Sequence, residues 1–268
     1  MTILDKIIAE KRQEVARREA ETPLAELQKA PLFTRSVLSA RAALTAAGSS
    51  GIIAEFKRQS PSKGVINGSA EAGATTAGYV AAGAACLSVL TDEPFFGGTP
   101  ADLQAARTAC PGTPILRKDF VIGEYQIAEA RALGADFVLL IAACLTPAEV
   151  VQLSKYAHSL GLEVLLEVHD EAELRSHLAN SVDLVGVNNR NLATFVTDVD
   201  TSTRLASLIP STFVKVAESG LQHASTIAAL RQAGYQGFLI GETFMKTPDP
   251  AAALAGLVAE LSAALPTS

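Results

Sequence analysis

The chain has 268 residues, of which 49% are hydrophobic, enough for one large domain or two small ones with a sizeable core. Its formal net charge of −6 argues against non-specific nucleic-acid binding, although a local site for a small anion is compatible with that charge. No stretch reaches the roughly 18 apolar residues of a membrane span, and the charged amino terminus does not read as a signal peptide, so we expect a cytoplasmic protein.

The amino-terminal region is expected to be helical. Thr2 and Asp5 form a capping-box-like start, and apolar residues recur at helical spacing through residues 2–20. Shorter helices are predicted within residues 23–29 and 38–46. The three cysteines have neither a C-x-x-C pair nor metal-like spacing, which indicates free thiols.

After residue 50 the chain alternates between short apolar runs and alanine-rich helical segments. Most of the runs are almost continuously apolar, as expected for parallel strands covered on both faces. Eight such units predict a (β/α)8 barrel, so we predict one domain over residues 1–268, with residues 1–48 as a helical extension packed on it. The eight runs are 52–56, 86–90, 115–116, 137–141, 163–168, 184–187, 213–216 and 238–240.

An internal repeat supports the barrel. Four times a helical pattern ends in glycine and a strand follows at once, at Gly83, Gly134, Gly161 and Gly234. These glycines are spaced by about two, one and three βα units. An open, doubly wound sheet is the alternative, but it would usually carry a G-x-G-x-x-G loop, which this sequence lacks.

Polar residues follow most of the predicted strands. Glu55 and Lys57 are two positions apart at the end of the first strand, so their side chains share one face. By themselves they could form a simple salt bridge. Barrel active sites lie at the carboxyl ends of the strands, however, and several other ends are also polar. These ends are Arg117-Lys118-Asp119, Glu167 and His169, Asn188-Asn189-Arg190, Glu218-Ser219-Gly220 and Gly241-Glu242.

The last two strand ends indicate a phosphate site. Ser219-Gly220 and Gly241-Glu242 each leave backbone N–H groups free ahead of a helix start. Barrels often bind phosphate at this place, after strands seven and eight. Either dipeptide alone is a weak signal, and together they are more specific.

The sequence carries seven motifs together at the ends of its predicted strands. On these motifs the chain resembles the indole-3-glycerol-phosphate synthase family over essentially its whole length. Thr99 and residues 195–198 depart slightly from the family pattern without touching a proposed catalytic group. The motifs are Ile-Ala-Glu55-Phe-Lys57-Arg-Gln-Ser60-Pro-Ser-Lys-Gly64, Leu-Thr-Asp92-Glu-Pro-Phe-Phe96-Gly-Gly, Leu-Arg-Lys118-Asp-Phe120, Leu-Leu-Glu167-Val-His, Val-Asn188-Asn-Arg190-Asn-Leu, Ala-Glu218-Ser219-Gly220 and Ile-Gly241-Glu242.

The resemblance implies a reaction and a substrate. The substrate would be 1-(2-carboxyphenylamino)-1-deoxyribulose 5-phosphate, an anion with a carboxylate and a phosphate, which undergoes ring closure, decarboxylation and dehydration. The product would be indole-3-glycerol phosphate, an intermediate of tryptophan biosynthesis. This chemistry requires neither a cofactor nor a metal. We expect a monomer that binds neither nucleic acid nor membranes.

The resemblance also implies catalytic roles. Lys118 matches the family's general acid, and we expect burial, together with Lys57 and Arg190, to lower its pKa while the glutamates oppose that shift. Glu167 matches the base for the dehydration. Glu55 and Glu218 are expected to orient the lysines and the substrate hydroxyls. Another expected catalytic residue, Asn188, can donate a hydrogen bond to the reacting hydroxyl or carbonyl.

The remaining site residues are expected to bind the substrate. Lys57 and Arg190 would clamp its anionic groups, with Lys57 also a candidate second acid, and Ser60 would help to hold the carboxylate. Phe120 is either core filler or a wall for the anthranilate ring. The phosphate would meet the backbone of Ser219, Gly220, Gly241 and Glu242.

Several other charged residues are expected to be structural. Asp119 should point away from the barrel axis as a cap or an outer salt bridge, and His169 should be structural or solvent-exposed. The arginines Arg12, Arg17 and Arg18 should lie on a solvated helix face. The glycine-containing loop over residues 58–68 is a candidate lid.

Two other functions fit parts of the sequence. One is another phosphate-binding barrel enzyme of tryptophan or histidine biosynthesis. The sugar isomerases of that group would carry an Asp- or Cys-based acid–base pair, whereas here the first strand offers Glu55 and Lys57. The other is a non-catalytic phosphate-binding barrel, for which Lys118 would matter only to affinity.

Overall fold

The computed structural model describes residues 2–191 and 194–263. Leu192, the last residue of the sixth-strand motif, lies outside the described residues. Eight parallel strands form a closed barrel in which the last strand pairs with the first, which confirms the predicted (β/α)8 fold. The barrel strands are β1 (Ile52–Phe56), β2 (Cys86–Leu90), β3 (Ile115–Lys118), β4 (Phe137–Ile141), β5 (Glu163–Val168), β6 (Leu184–Asn188), β7 (Val214–Glu218) and β8 (Gly237–Ile240).

Helices surround the barrel and precede it. All four glycines of the internal repeat have positive φ, as helix ends of this type require. In the part of the chain that the structure describes, no helix is both long and apolar enough to cross a membrane. The helices are α1 (Ile3–Glu21), α2 (Leu24–Leu27), α3 (Ala40–Thr45), α4 (Ala72–Ala81), α5 (Glu93–Phe96), α6 (Pro100–Ala109), α7 (Glu124–Leu133), α8 (Pro147–Ser159), α9 (Glu171–His177), α10 (Asp200–Leu205), α11 (Ala224–Gln232), α12 (Glu242–Met245) and α13 (Pro250–Ala263), with a 3₁₀ turn at Ala142–Cys144.

The amino-terminal extension reaches both ends of the barrel. Helix α1 begins with the expected capping box of Thr2 and Asp5, and its first apolar residues line the cavity at the carboxyl ends of the strands. Helix α3 packs at the opposite end, where Ala40 and Leu44 join the apolar residues of the barrel interior. Helix α3 therefore closes the amino-terminal end of the barrel, and α1 forms part of the wall at the open, carboxyl-terminal end.

Strand alternation divides the side chains between two layers. On β3, Leu116 belongs to the interior cluster and Lys118 follows it on the same face, whereas Arg117 points outward and is 1% exposed. The same order, an apolar interior residue followed two positions later by a polar one, recurs in Leu165 and Glu167 on β5. The polar ends of several strands therefore converge above a closed apolar core.

A buried ion network joins α1 to the outer face of the barrel. The ammonium of Lys11 lies 2.7 Å from Glu14, 3.0 Å from Asp92 and 2.9 Å from Asp119. Burial would lower the pKa of Lys11, but the surrounding carboxylates outweigh that effect and raise it. The network consists of Lys11, Glu14, Arg18, Asp92, Arg117, Asp119 and Glu129.

The same network extends to two arginines. Arg117 pairs with Asp119 at 3.0 Å and with Glu129 at 2.6 Å. Burial alone would raise the pKa of Asp119, but Arg117 and Lys11 lower it well below its usual range. Arg18 pairs with Glu14 and Glu129, so its expected place on a solvated face was wrong. Arg18 lies where α1 meets α7 and forms an ion pair with Glu129 of that helix.

Removing the Lys11 charge should destabilise the protein strongly. Lys11→Met leaves buried carboxylates without their cation, so we expect the free energy of unfolding to fall by about 3–5 kcal/mol, measured in urea at pH 7. The matched substitution at the exposed Arg17 should change it by no more than about 0.5 kcal/mol. Equal, small effects of the two substitutions would show that the network contributes little.

Candidate active site

A cavity of about 410 Å³ opens at the carboxyl ends of the strands. Every residue that the sequence analysis assigned to the site lines this one cavity, although the assigned roles stay predictions. The six residues expected to be catalytic are Glu55, Lys57, Lys118, Glu167, Asn188 and Glu218. The seven expected to bind substrate are Ser60, Phe120, Arg190, Ser219, Gly220, Gly241 and Glu242.

The centre of the cavity is a set of ion pairs. Lys118 Nζ lies 3.4 Å from Glu167 Oε2 and 3.9 Å from Glu218 Oε2. Lys57 Nζ lies 2.6 Å from Glu55 Oε1, the same-face pairing that their spacing predicted. Because these groups come from four sides of one closed barrel, a substrate in the cavity would meet ammonium and carboxylate groups together.

Two glycines make room for these carboxylates. A Cβ at Gly241 would lie 2.5 Å from Glu55 Oε1, and a Cβ at Gly186 would collide with the carboxylate of Glu218. Glycine at both positions allows the side chains to lie directly against neighbouring backbone. The site therefore depends on glycine at these two positions as well as on its charged side chains.

The cavity rim is cationic and hydroxyl-rich. Arg190 donates to Ser62 Oγ at 2.9 Å and lies 3.2 Å from Glu242, whose other oxygen is 3.5 Å from Lys63. The adjacent Ser219 has a left-handed backbone with φ of 67°. A non-glycine residue in this conformation is strained, which is common where a backbone is shaped for a ligand.

Comparison with known proteins identifies the family. A family model described as indole-3-glycerol phosphate synthase matches residues 4–257. The chain belongs to the indole-3-glycerol phosphate synthase family. An indole-3-glycerol phosphate synthase of Bacteroides thetaiotaomicron is 50% identical over 248 residues, covering 92% of this chain and 94% of the relative. One of Paracidovorax citrulli is 47% identical over 266 residues, covering 96% and 99% of the two chains.

Solved structures agree on the fold. A 3-hexulose-6-phosphate synthase from Salmonella typhimurium superposes with a TM-score of 0.63 at 14% identity, covering 80% of this chain and 99% of that one. A thiamine phosphate pyrophosphorylase from Pyrococcus furiosus gives a TM-score of 0.61 at 14% identity, covering 83% and 99%. At such low identity the likeness supports the barrel, and the function rests on the synthase family.

The ionisation of the central lysine differs from the sequence expectation. Burial does lower the pKa of Lys118, as expected, but Glu167, Glu218 and Glu55 together outweigh it and raise that pKa. The expected net lowering was therefore wrong, because the carboxylates lie closer to the ammonium than sequence alone could indicate. In this synthase site Lys118 carries its proton throughout the neutral pH range.

The two neighbouring glutamates are driven in opposite directions. Burial would raise the pKa of Glu167, but Lys118, His169 and Asn188 lower it, so this carboxyl is ionised. Burial and the negative charge of Glu167 raise the pKa of Glu218 to about 8, so that carboxyl is neutral at pH 7. Glu167 thus has the ionisation of a base, and Glu218 can donate a hydrogen bond.

Apolar side chains that were not predicted from the sequence form part of the cavity wall. Ile3, Leu4 and Ile7 of α1 line the cavity, as do Phe96 and Phe195. The helical spacing of the α1 residues predicted a packing stripe, but no local signal says that the stripe faces a cavity. Phe96 lies 6.0 Å, centroid to centroid, from Phe120, so the two rings form part of the same wall.

His169 was predicted to be structural or solvent-exposed, and the structure contradicts only the second alternative. Its side chain is 12% exposed, and its Nε2 atom lies 3.3 Å from Glu167 Oε1. The signal for this contact was in the sequence. Glu167 and His169 are two positions apart, the same spacing that correctly paired Glu55 with Lys57.

The opposite ionisation of the two glutamates can be tested with matched amides. Glu167→Gln should lower kcat by about 10²- to 10⁴-fold because it removes a base. Glu218→Gln should keep kcat within about tenfold of wild type at pH 7, because an amide replaces a carboxyl that is already neutral. Steady-state kinetics at pH 7 would contradict this assignment if the two variants lost activity equally.

Proposed function

We propose that this cavity converts 1-(2-carboxyphenylamino)-1-deoxyribulose 5-phosphate into indole-3-glycerol phosphate, carbon dioxide and water. Membership of the indole-3-glycerol phosphate synthase family supports this reaction. The observation that best supports the residue roles is the contact between a protonated Lys118 and an ionised Glu167 at 3.4 Å. One site then holds an acid and a base, as the chemistry requires.

Lys118 acts in ring closure. The ring carbon that bears the carboxylate forms a bond to the ribulose carbonyl carbon, and the carbonyl electrons move to oxygen. That oxygen takes a proton from the Lys118 ammonium. The bond to the carboxylate then breaks, carbon dioxide leaves, and its electron pair restores the aromatic ring.

Glu167 acts in the dehydration. The new hydroxyl leaves as water after it has gained a second proton, and the carbon beside the nitrogen loses a proton to Glu167. The carboxyl formed there lies next to the deprotonated Lys118 and can return the proton to it. The reaction donates two protons and removes one, so each turnover takes up one proton from solvent.

The second proton needs its own donor. Lys57 lies on the same face as Glu55, at 2.6 Å from it, and both line the cavity. We assign Lys57 as the candidate acid for the departing hydroxyl, with Glu55 holding its ammonium in place. The amide of Asn188 donates to Glu167 Oε1 at 3.2 Å, and we assign its second hydrogen to the reacting oxygen.

We assign binding of the substrate's anionic groups to residues at the cavity rim. Arg190 offers a planar guanidinium to the phosphate or carboxylate, and the backbone N–H groups at Ser219, Gly220 and Gly241 suit the phosphate. Ser60 is assigned to the substrate carboxylate. Phe120, with Phe96 beside it, supplies an apolar surface for the anthranilate ring.

The reaction is tested directly with the proposed substrate. Purified protein at micromolar concentration should convert the carboxyphenylamino-deoxyribulose phosphate into a product with indole fluorescence, and release carbon dioxide in equal amount. A parallel sample without protein gives the background rate. Absence of fluorescence above that background would exclude the proposed reaction.

Lys118→Met separates catalysis from binding. Removal of the acid should lower kcat by at least about 10²- to 10⁴-fold, while titration calorimetry still detects substrate binding. The control is Lys155→Met, which removes an exposed lysine on α8 and should leave kcat unchanged. Turnover by the Lys118 variant at the wild-type rate would remove this lysine from the mechanism and favour a purely binding role.

A further inference from the structure

His169 lies between two carboxylates. Its Nε2 atom is 3.3 Å from Glu167 Oε1, and its Nδ1 atom is 3.1 Å from Glu173 Oε2. The Nδ1 contact is a hydrogen bond, whereas the Nε2 contact is an ion pair that lacks hydrogen-bond geometry. Two carboxylates this close to one imidazole favour its doubly protonated, positively charged form. The arrangement is a carboxylate–imidazolium–carboxylate chain that runs from the cavity towards α9.

The chain has a rigid outer end. Asp170 caps α9 by accepting a hydrogen bond from the backbone N–H of Glu173, which fixes the first turn of that helix. The carboxylate of Glu173 then accepts from the backbone N–H of His169 at 2.7 Å as well as from its ring. The Glu173 contacts therefore hold the imidazole in one orientation, with Nε2 on the side of Glu167 and 3.3 Å from its Oε1 atom.

At the inner end of the chain, the two carboxylate oxygens of Glu167 have different neighbours. Oε1 is contacted by His169 and by the amide of Asn188, at 3.3 and 3.2 Å. Oε2 lies 3.4 Å from Lys118 Nζ. One oxygen is thus anchored on the protein side, while the other faces the acid and the cavity.

We propose that His169 is a positioning residue for Glu167: it anchors one carboxylate oxygen and, as an imidazolium, keeps the carboxylate ionised so that the other oxygen serves as the base. The imidazole is outside the set of residues lining the cavity, so it would act through Glu167 and not on the substrate. This inference rests on the proposed role of Glu167 in the dehydration.

The charges around His169 support the imidazolium. Burial would lower the pKa of His169, but Glu167 and Glu173 raise it to about 10. The thiol of Cys144, on the turn after β4, also lies near both glutamates, and burial raises its pKa to about 12, so it stays neutral. Beyond Glu167 lie Lys118, which is protonated, and Glu218, which is neutral at pH 7.

The effect of removing the imidazolium has a definite sign. Glu167 has a lowered pKa because positive neighbours favour its ionised form. Without the imidazolium that pKa rises, so the base becomes protonated at a higher pH. A single nearby charge shifts a pKa by about 1–3 units, so the acid limb of kcat/KM in His169→Gln should move up by one to two pH units.

The experiment is a set of pH–rate profiles for wild type, His169→Gln and Glu173→Gln. The acid limb of the first variant should lie one to two pH units above that of wild type, so its loss of kcat/KM should reach about tenfold only on the acid side, below about pH 5, and become small near neutral pH, with a smaller shift of the same sign in the second variant. His158→Gln is the matched control, because His158 also contacts a carboxylate, Asp183, but on the barrel exterior. Its profile should match that of wild type.

Two results would overturn the proposal. One is an unchanged acid limb in His169→Gln; the other is a loss of rate that is equal at every pH, which indicates a structural role only. Thermal melts identify loss of folding, and the Glu173 variant then provides the test, since it keeps the imidazole but loosens its tether.

A second readout does not depend on turnover. Proton–nitrogen NMR of histidine-labelled protein should show the His169 ring protonated on both nitrogens at pH 7 in wild type, and a lower ring pKa in Glu173→Gln. A neutral ring at pH 7 would refute the inference even if the synthase reaction is found. Failure of the substrate assay alone, with the ring protonated, would instead count against the proposed function.

Discussion

Side-chain alternation around a closed ring of strands is the constraint on which the site depends. Each strand directs every second residue inward, and closure makes those inward positions face one another. Lys118, Glu167 and Glu218 each follow an apolar interior residue by two positions, so they form one layer above the core. The backbone hydrogen bonds of the barrel thereby fix the distances between acid and base.

Bringing these charges together requires compensation in two places. Inside the cavity, the carboxyl groups outnumber the lysines. Protonation of Glu218 removes the excess negative charge, while Lys118 remains charged. Outside, the strand residues that alternate with them, Arg117 and Asp119, are charged as well and are satisfied by α1 and α7. The charged tripeptide Arg117-Lys118-Asp119 at the end of β3 thus contributes its middle residue to the cavity and its two outer residues to contacts with the helices.

The limits of the sequence-based predictions follow the range of the interactions. The strands, the glycine-ended helices and the polar strand ends depend on neighbours along the chain, and the structure places them as expected. The partners of Lys11 and Arg18 lie on distant helices and strands, which no local pattern specifies. The pKa of Lys118 depends on distances to three carboxylates, and only coordinates supply those.

The ion network of α1 has a consequence for the order in which the protein is built. Arg18 and its partner Glu129 are 111 positions apart, and Asp119 is made almost as late. A ribosome adding about 5–20 residues per second makes α1 first but needs on the order of 10 s to supply these partners. During that interval the amphipathic helix has no barrel face to cover. The first segment of the chain to be synthesised therefore cannot complete its ion pairs until about half of the chain has been made.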